Sequence, residues 1–392
     1  MKRTDMILAI FLFIITGCAG GEKPSDNFIV IDVAKSYPKK ELILQDIFDV
    51  EYIVLETNDE FVSYGLVGAI GKEIIVLING SDILIFDRNG KGLRKINRRG
   101  QGPEEYIDPS FIALDEENNE MIITDIVQRN IVVYDLFGSF KQRLRNDRNI
   151  YGNLGILDRD HFIIQYPSGN FINGRMEGLR NEFFIISRKD GSITKEIEIP
   201  FNNQKWGYVI SSDGSRPSRG LRNLKLIPNR SSWIVAEISS DTIYRILPDF
   251  NILPIFARTP SIQSMSPEVY LFPSVISDHY YFLQAVKSEF DFSTYTGWPT
   301  TDLVYDRQEK VIFEYVVYND DFLNKNPVKL SFESRILAQP VQSNEIAFFN
   351  KLESHELVEA YQKDELKGKL KEIASKLDIE DNPVIMIAKY KE

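Results

Sequence analysis

The stretch KINRRGQGPEEYIDP, residues 95–109, sets two arginines, two glycines and two glutamates within a few positions. Glycine-rich loops beside basic residues can cradle a phosphate through their backbone N–H groups. This pattern fails that test residue by residue. Glu105 stands where the third glycine of G-x-G-x-x-G belongs, and Pro103 removes an N–H that an anion would need. Glu104 and Glu105 would also repel a phosphate. The segment therefore predicts a sharp chain crossing, with Gly100 and Gly102 allowing the path, Pro103 fixing it and Tyr106 packing inward.

Other reactive constellations are scarce. The chain has one cysteine, Cys18, and three widely spaced histidines, His161, His279 and His355. One thiol makes neither a thiolate zinc site nor an intrachain disulfide, and isolated histidines read as ordinary packed or surface residues. The motifs G-x-S-x-G, H-E-x-x-H and G-x-x-x-x-G-K-[ST] do not occur. DEENNE, residues 115–120, carries oxygen ligands without the spacing of a Ca²⁺ loop and reads as a hairpin turn. A folded ring can bring distant carboxylates together for glycoside hydrolysis, but among 57 acidic residues no pair stands out. Against 46 basic residues those acids leave a net charge of −11, which disfavours nucleic-acid partners. The expectation is no metal and no cofactor.

Binding chemistry has better candidates. The stretches QYPSGNFINGRMEG (165–178), NNQKWGYVISSDGSRPSRGLRN (202–223) and EFDFSTYTGWPTT (289–301) mix aromatics with Gly, Ser, Asn and Arg. Binding residues concentrate on loops held by a rigid frame. Trp206, Tyr208, Tyr295 and Trp298 could stack on a sugar or anchor a protein interface, and Arg216 and Arg219 could meet a carboxylate or an acidic partner. The competing expectation is that these aromatics pack their loops onto the frame.

That frame is repetitive. From residue 28 an apolar strand, a tight turn and a second strand recur as DILIFDRNGKGLRKI, NIVVYDLFGSFKQRL and FFIISRKDGSITKEI, then more loosely as TIYRILPDFNILPIF and DLVYDRQEKVIFEYV. Gly90, Gly138 and Gly191 fall where the turn needs positive φ. A period of about 50–60 residues with no helix between copies predicts an all-β, six-bladed β-propeller of four-stranded blades, with hairpins near 89, 137, 190, 249 and 308. The rival count is seven. FIVIDV and FDVEYIVLET from the N-terminal side, with NEIAFFN and NPVIMIAKYK from the C-terminal side, are expected to close the sixth blade together. Residues 354–378 predict one helix inserted before the last strand, capped by Ser354, with Leu366, Leu370, Ile373 and Leu377 packed on an end of the ring.

Ahead of the ring, Lys2 and Arg3 precede a short apolar run and small residues, the layout of a secretory signal over 1–17. Ile15, Thr16, Gly17 and Cys18 resemble the lipobox of bacterial lipoproteins, which implies acylation of Cys18, followed by a flexible tether over 18–27. Asp115, Asn118, Asp125, Arg129, Asn130, Tyr134, Asp135 and Gly138 match an NHL repeat in the second blade. The DIF and EYIVLET strand, the Gly100–Tyr106 connector and the closing NPVIMIAKYK make the whole mature chain, 28–392, resemble the six-bladed propeller lipoproteins of Bacteroidetes. The resemblance implies a lipid anchor in the cell envelope, at the outer membrane on its periplasmic or surface face. The expected role is a non-catalytic binding or scaffolding module for a protein or glycan partner. The alternative is a lyase or hydrolase acting on a glycan or small metabolite in the central channel, with Ca²⁺ as its metal. Oligomeric state is left open.

Overall fold

A computed structural model describes residues 28–146, 148–166, 170–172, 175–214, 221, 223–331 and 343–391. Tight turns follow from local chemistry. The Asp87 carboxylate accepts from Asn89 N and Lys91 N, and Asp135 does the same for Phe137 N and Ser139 N. Gly90, Gly138 and Gly191 take φ of +85°, +86° and +80°, as the repeated phrase predicts.

Those turns join strands into six blades, five of them four-stranded meanders and a sixth with three strands among the described residues. Blade one runs Leu66–Ile70, Ile74–Asn79, Asp82–Asp87 and Gly92–Ile96, each antiparallel to the last. Blade two spans Pro109–Asp115 to Phe140–Leu144, blade three Asn153–Ile156 to Ile193–Ile197. Blade four spans Leu226–Asn229 to Ile252–Thr259, and blade five Val269–Ile276 to Val311–Tyr318. In blade six, Ile346–Leu352 and Val384–Tyr390 pair with Phe48–Val54 from the N-terminal side. Both ends of the chain thus share the closing sheet, as expected.

Burial on both faces explains why the central strands read as continuous apolar runs rather than alternating ones. Ile75 and Leu77 face blade six, whereas Ile74, Val76 and Ile78 face blade two. On the closing strand, Ile385 and Ile387 meet blade one while Val384, Met386 and Ala388 meet blade five. Six such cores, each shared by two neighbouring blades, complete the ring.

The connector 97–108 is the predicted crossing. Tyr106 is fully buried, and its hydroxyl donates to Ser81 O at 2.8 Å. Arg143 donates to Pro103 O, Gly102 O and Glu105 O, which clamps the path, while the Glu105 carboxylate accepts from Gly102 N.

Three expectations need correction. FIVIDV does not enter blade six: Ile29–Asp32 pairs in parallel with Ile252–Thr259 on the outer edge of blade four. Lys39–Ile43 does likewise on blade five, so the N-terminal segment covers two sheet edges before it reaches the closing blade. The insertion is two helices, Ser354–Gln362 and Gly368–Ala374. The break comes where Asp364 and Gly368 adopt positive φ, and Leu366 instead bridges to Phe322. Leu357, Leu366 and Leu370 still bury into the core between blades five and six. Ser354 does not cap its helix. Its hydroxyl is drawn to Asn382 O at 2.6 Å, because Asn382 is the buried knot that also holds Ser63 N, Glu56 O and Phe61 O.

Candidate functional site

The up-and-down order of each blade divides its connections between two faces. First-to-second and third-to-fourth strand turns lie on one face, and among the described residues they are short, from 230–231 to 188–192. Second-to-third strand loops and the blade-to-blade crossings lie on the other. That loop face carries the described residues of 166–182 and 198–225, together with 288–299 and the helical insertion.

The roots of two of these loops and of the 236–241 loop in blade four meet at a cluster of ionisable groups. Lys225, just before blade four's first strand, donates to both oxygens of Glu182 at 3.0 and 2.7 Å. Glu182 opens blade three's third strand and is 1% exposed, and Glu237, which follows blade four's second strand, is 3% exposed. Burial alone would pull the Lys225 ammonium down, but Glu182 and Glu237 beside it hold it above its ordinary value. Burial pushes the Glu237 carboxyl up, Lys225 opposes that shift, and Glu182 adds to it. The Glu237 carboxylate also accepts from Ser239 N, so the same cluster fixes the loop that follows.

Neighbouring bonds extend this anchorage. Lys205 N donates to Ser239 Oγ, its ammonium meets Glu268 at 2.9 Å, and Gln263 ties Asn203 O to Ser239 O. Asn223 donates to Gln284, which donates to Asp302. The loop folds back on itself where Leu221 N reaches Gly207 O, and Gly207 takes a φ of +62°.

Of the residues singled out for binding, Tyr208 and Tyr295 are exposed, at 36% and 67%. Trp206 is half-buried. Trp298 is also half-buried and packs on the core between blades four and five, the same core that Leu221 joins. The structure thus brings the 202–223 and 289–301 loops to one blade junction and leaves the two tyrosines outward. Arg216, Arg219 and Cys18 lie outside the described residues. His161 and His279 sit in different blades, each on its own aspartate, Asp158 and Asp306. The ionic cluster was not foreseen, because its members are dispersed along the chain and each looks like an ordinary loop charge. The one signal available was that all three sit at the ends of apolar strands.

The exposed apolar side chains divide unevenly between the faces. Tyr64, Ile126, Val127, Tyr208, Ile210 and Tyr295 all stand on the loop face. The short turns expose Phe137, and the Arg94 guanidinium covers its ring at 4.2 Å. Among the described residues no group of three or more His, Cys, Asp or Glu is placed to hold a metal ion, and no helix is long and apolar enough to cross a membrane.

Comparisons with known proteins agree with the architecture. A family model described as "Domain of unknown function (DUF4934)" matches residues 28–389. No curated protein matches. The crystal structure of a "Putative exported protein" from Bacteroides fragilis is similar over 93% of this chain and 100% of its own, with 14% identity and a TM-score of 0.59. A DUF4221 member from Bacteroides vulgatus matches over 88% of this chain and 96% of its own, with 10% identity and a TM-score of 0.46.

Proposed function

We propose, for a chain that belongs to the DUF4934 family, that it is a non-catalytic binding module which meets a protein or glycan partner through the loop face of its propeller. The concentration of exposed aromatic and aliphatic side chains on that face carries the reading. Binding residues concentrate on loops held by a rigid frame, and exposed rings there are suited to an interface. The buried cluster at Lys225 supports it: loops rooted on an ion pair present their tips in one arrangement, which lowers the ordering cost of binding. The partner chemistry follows from Tyr208, Tyr295 and Trp206, which offer rings for sugar stacking or for protein anchoring.

The module acts from the cell envelope, held by a lipid on Cys18 and a short tether, and its second blade follows the NHL pattern. Two experiments test this. Recovery of the anchored protein from native membranes, followed by mass spectrometry, is expected to return one enriched partner or a bound glycan. Recovery of nothing above background, together with turnover of members of a glycan panel, would contradict the binding role. Cys18→Ala is expected to release the protein from membranes; unchanged retention would refute the anchor.

A further inference from the structure

The short-turn face also holds a cleft, between blades two and three, with a volume of about 550 Å³. It lies away from the loops discussed above and has a different chemistry. Its lining contains Lys141, Arg159, Arg188 and Lys189 with two carboxylates, Glu120 and Asp160, and Asp115 and Asp158 stand behind it on Arg188 and His161.

The cleft is built around Arg188. That side chain is 10% exposed, lies over the Phe162 ring and is fixed by Asp115 and Glu120, both 2.7 Å from Nη2. Its other terminal nitrogen, Nη1, is buried with no hydrogen-bond partner. Glu120 is already shared between Arg188 and Lys141, which removes it as a competitor for the remaining cations. Among the described residues Arg159 and Lys189 form no ion pair and stand exposed at the rim. His161 completes the wall, with its Nδ1 3.0 Å from both oxygens of Asp158 and its ring against Phe250.

We propose that this cleft binds a small molecule through an oxyanion group, with Arg159 and Lys189 as its rim contacts, Arg188 as the fixed inner cation and His161 alongside. Guanidinium and ammonium groups lining one cleft suit phosphate, sulfate or carboxylate oxygens, and the three differ in shape and charge.

The three histidines make the test direct, because their ring resonances can be followed one by one in the full chain. Inorganic phosphate, inorganic sulfate and glucuronate are titrated separately, with calorimetry in parallel. A saturable shift of His161, with His279 and His355 still, is expected for at least one of the three. The preferred anion then identifies the source: a phosphate ester, a sulfated molecule or an acidic sugar. The double variant Arg159→Ala/Lys189→Ala is expected to weaken that binding about tenfold, the loss of two solvent-exposed charge contacts. Lys91→Ala/Lys310→Ala, with the same change in net charge on the same face, is expected to leave it unchanged. No saturable His161 shift with any anion, or equal loss in both double variants, would overturn the proposal.

Discussion

The two faces of the ring are built on opposite terms. On the short-turn face each glycine turn is locked against the preceding blade. A Cβ on Gly90 would lie 1.9 Å from Val54 O, one on Gly138 3.0 Å from Ile96, and one on Gly191 3.1 Å from Arg145 N. On the loop face Gly80 and Gly214 also have positive φ, but the packing varies: a Cβ on either would meet nothing within 4 Å, whereas one on Gly207 would lie 2.7 Å from Leu221 Cδ1 and one on Gly368 2.5 Å from Asp321 Oδ1. Packing against the preceding blade holds the first face at these glycine turns. The second is held at its roots, by Lys225 and its carboxylates and by Asn382, while its tips stay open. The division suits a frame that must be rigid beneath and accessible above.

Removal of a root charge is the strongest way to break that contrast. Lys225→Met strands two buried carboxylates, and a loss of about 3–5 kcal/mol is expected from urea denaturation. Faster hydrogen exchange at 198–225 than at 135–139 should accompany it; equal change on both faces would refute root anchorage. Next comes a matched pair of glycines. Gly90→Ala combines a left-handed φ with a backbone clash and is expected to cost roughly 3 kcal/mol, whereas Gly80→Ala keeps only the φ cost of about 1 kcal/mol. Similar losses for the two would show that the faces are not packed differently.

Much of the frame was legible because it is written locally. Asp87 and Gly90, or Asp135 and Gly138, specify a turn within a few residues, and all five predicted hairpins fall where the third and fourth strands join. What escaped depended on distant partners. Ile29–Asp32 looks like any apolar strand, and only the free edge of blade four decides where it goes. The helical period over 354–378 hid a break that Gly368 makes where the chain must reach Phe322. Gly155 leaves room for the Trp233 ring, whose Cζ2 would be 1.8 Å from a Cβ there, a need set by a strand of the next blade. For the site, the aromatic loops were visible and two of their tyrosines are exposed, whereas Glu182, Lys225 and Glu237 become a cluster only once blades three and four stand side by side.

Smaller effects sharpen the contrast further. Glu237 has its folded pKa raised above the ordinary 4.5, so the folded state holds its proton longer and stability falls as pH rises from that value to the folded one. Glu237→Gln removes this slope, and thermal melts from pH 4 to 8 are expected to show a growing advantage over the natural chain as pH rises. A constant or shrinking difference would mean that Glu237 is not held in the protonated direction. Smallest of all, Tyr208→Ala and Tyr295→Ala touch exposed tips and are expected to change stability by under about 0.5 kcal/mol while weakening partner capture.

The claim that binding belongs to the loop face is tested most directly by photocrosslinking in native envelopes, with a photoreactive side chain placed in turn at Tyr208, Tyr295, Phe137 and Lys310. A discrete adduct from Tyr208 or Tyr295, with none from Phe137 or Lys310, is the predicted result. The same adduct from both faces, or from the short-turn face alone, would contradict it.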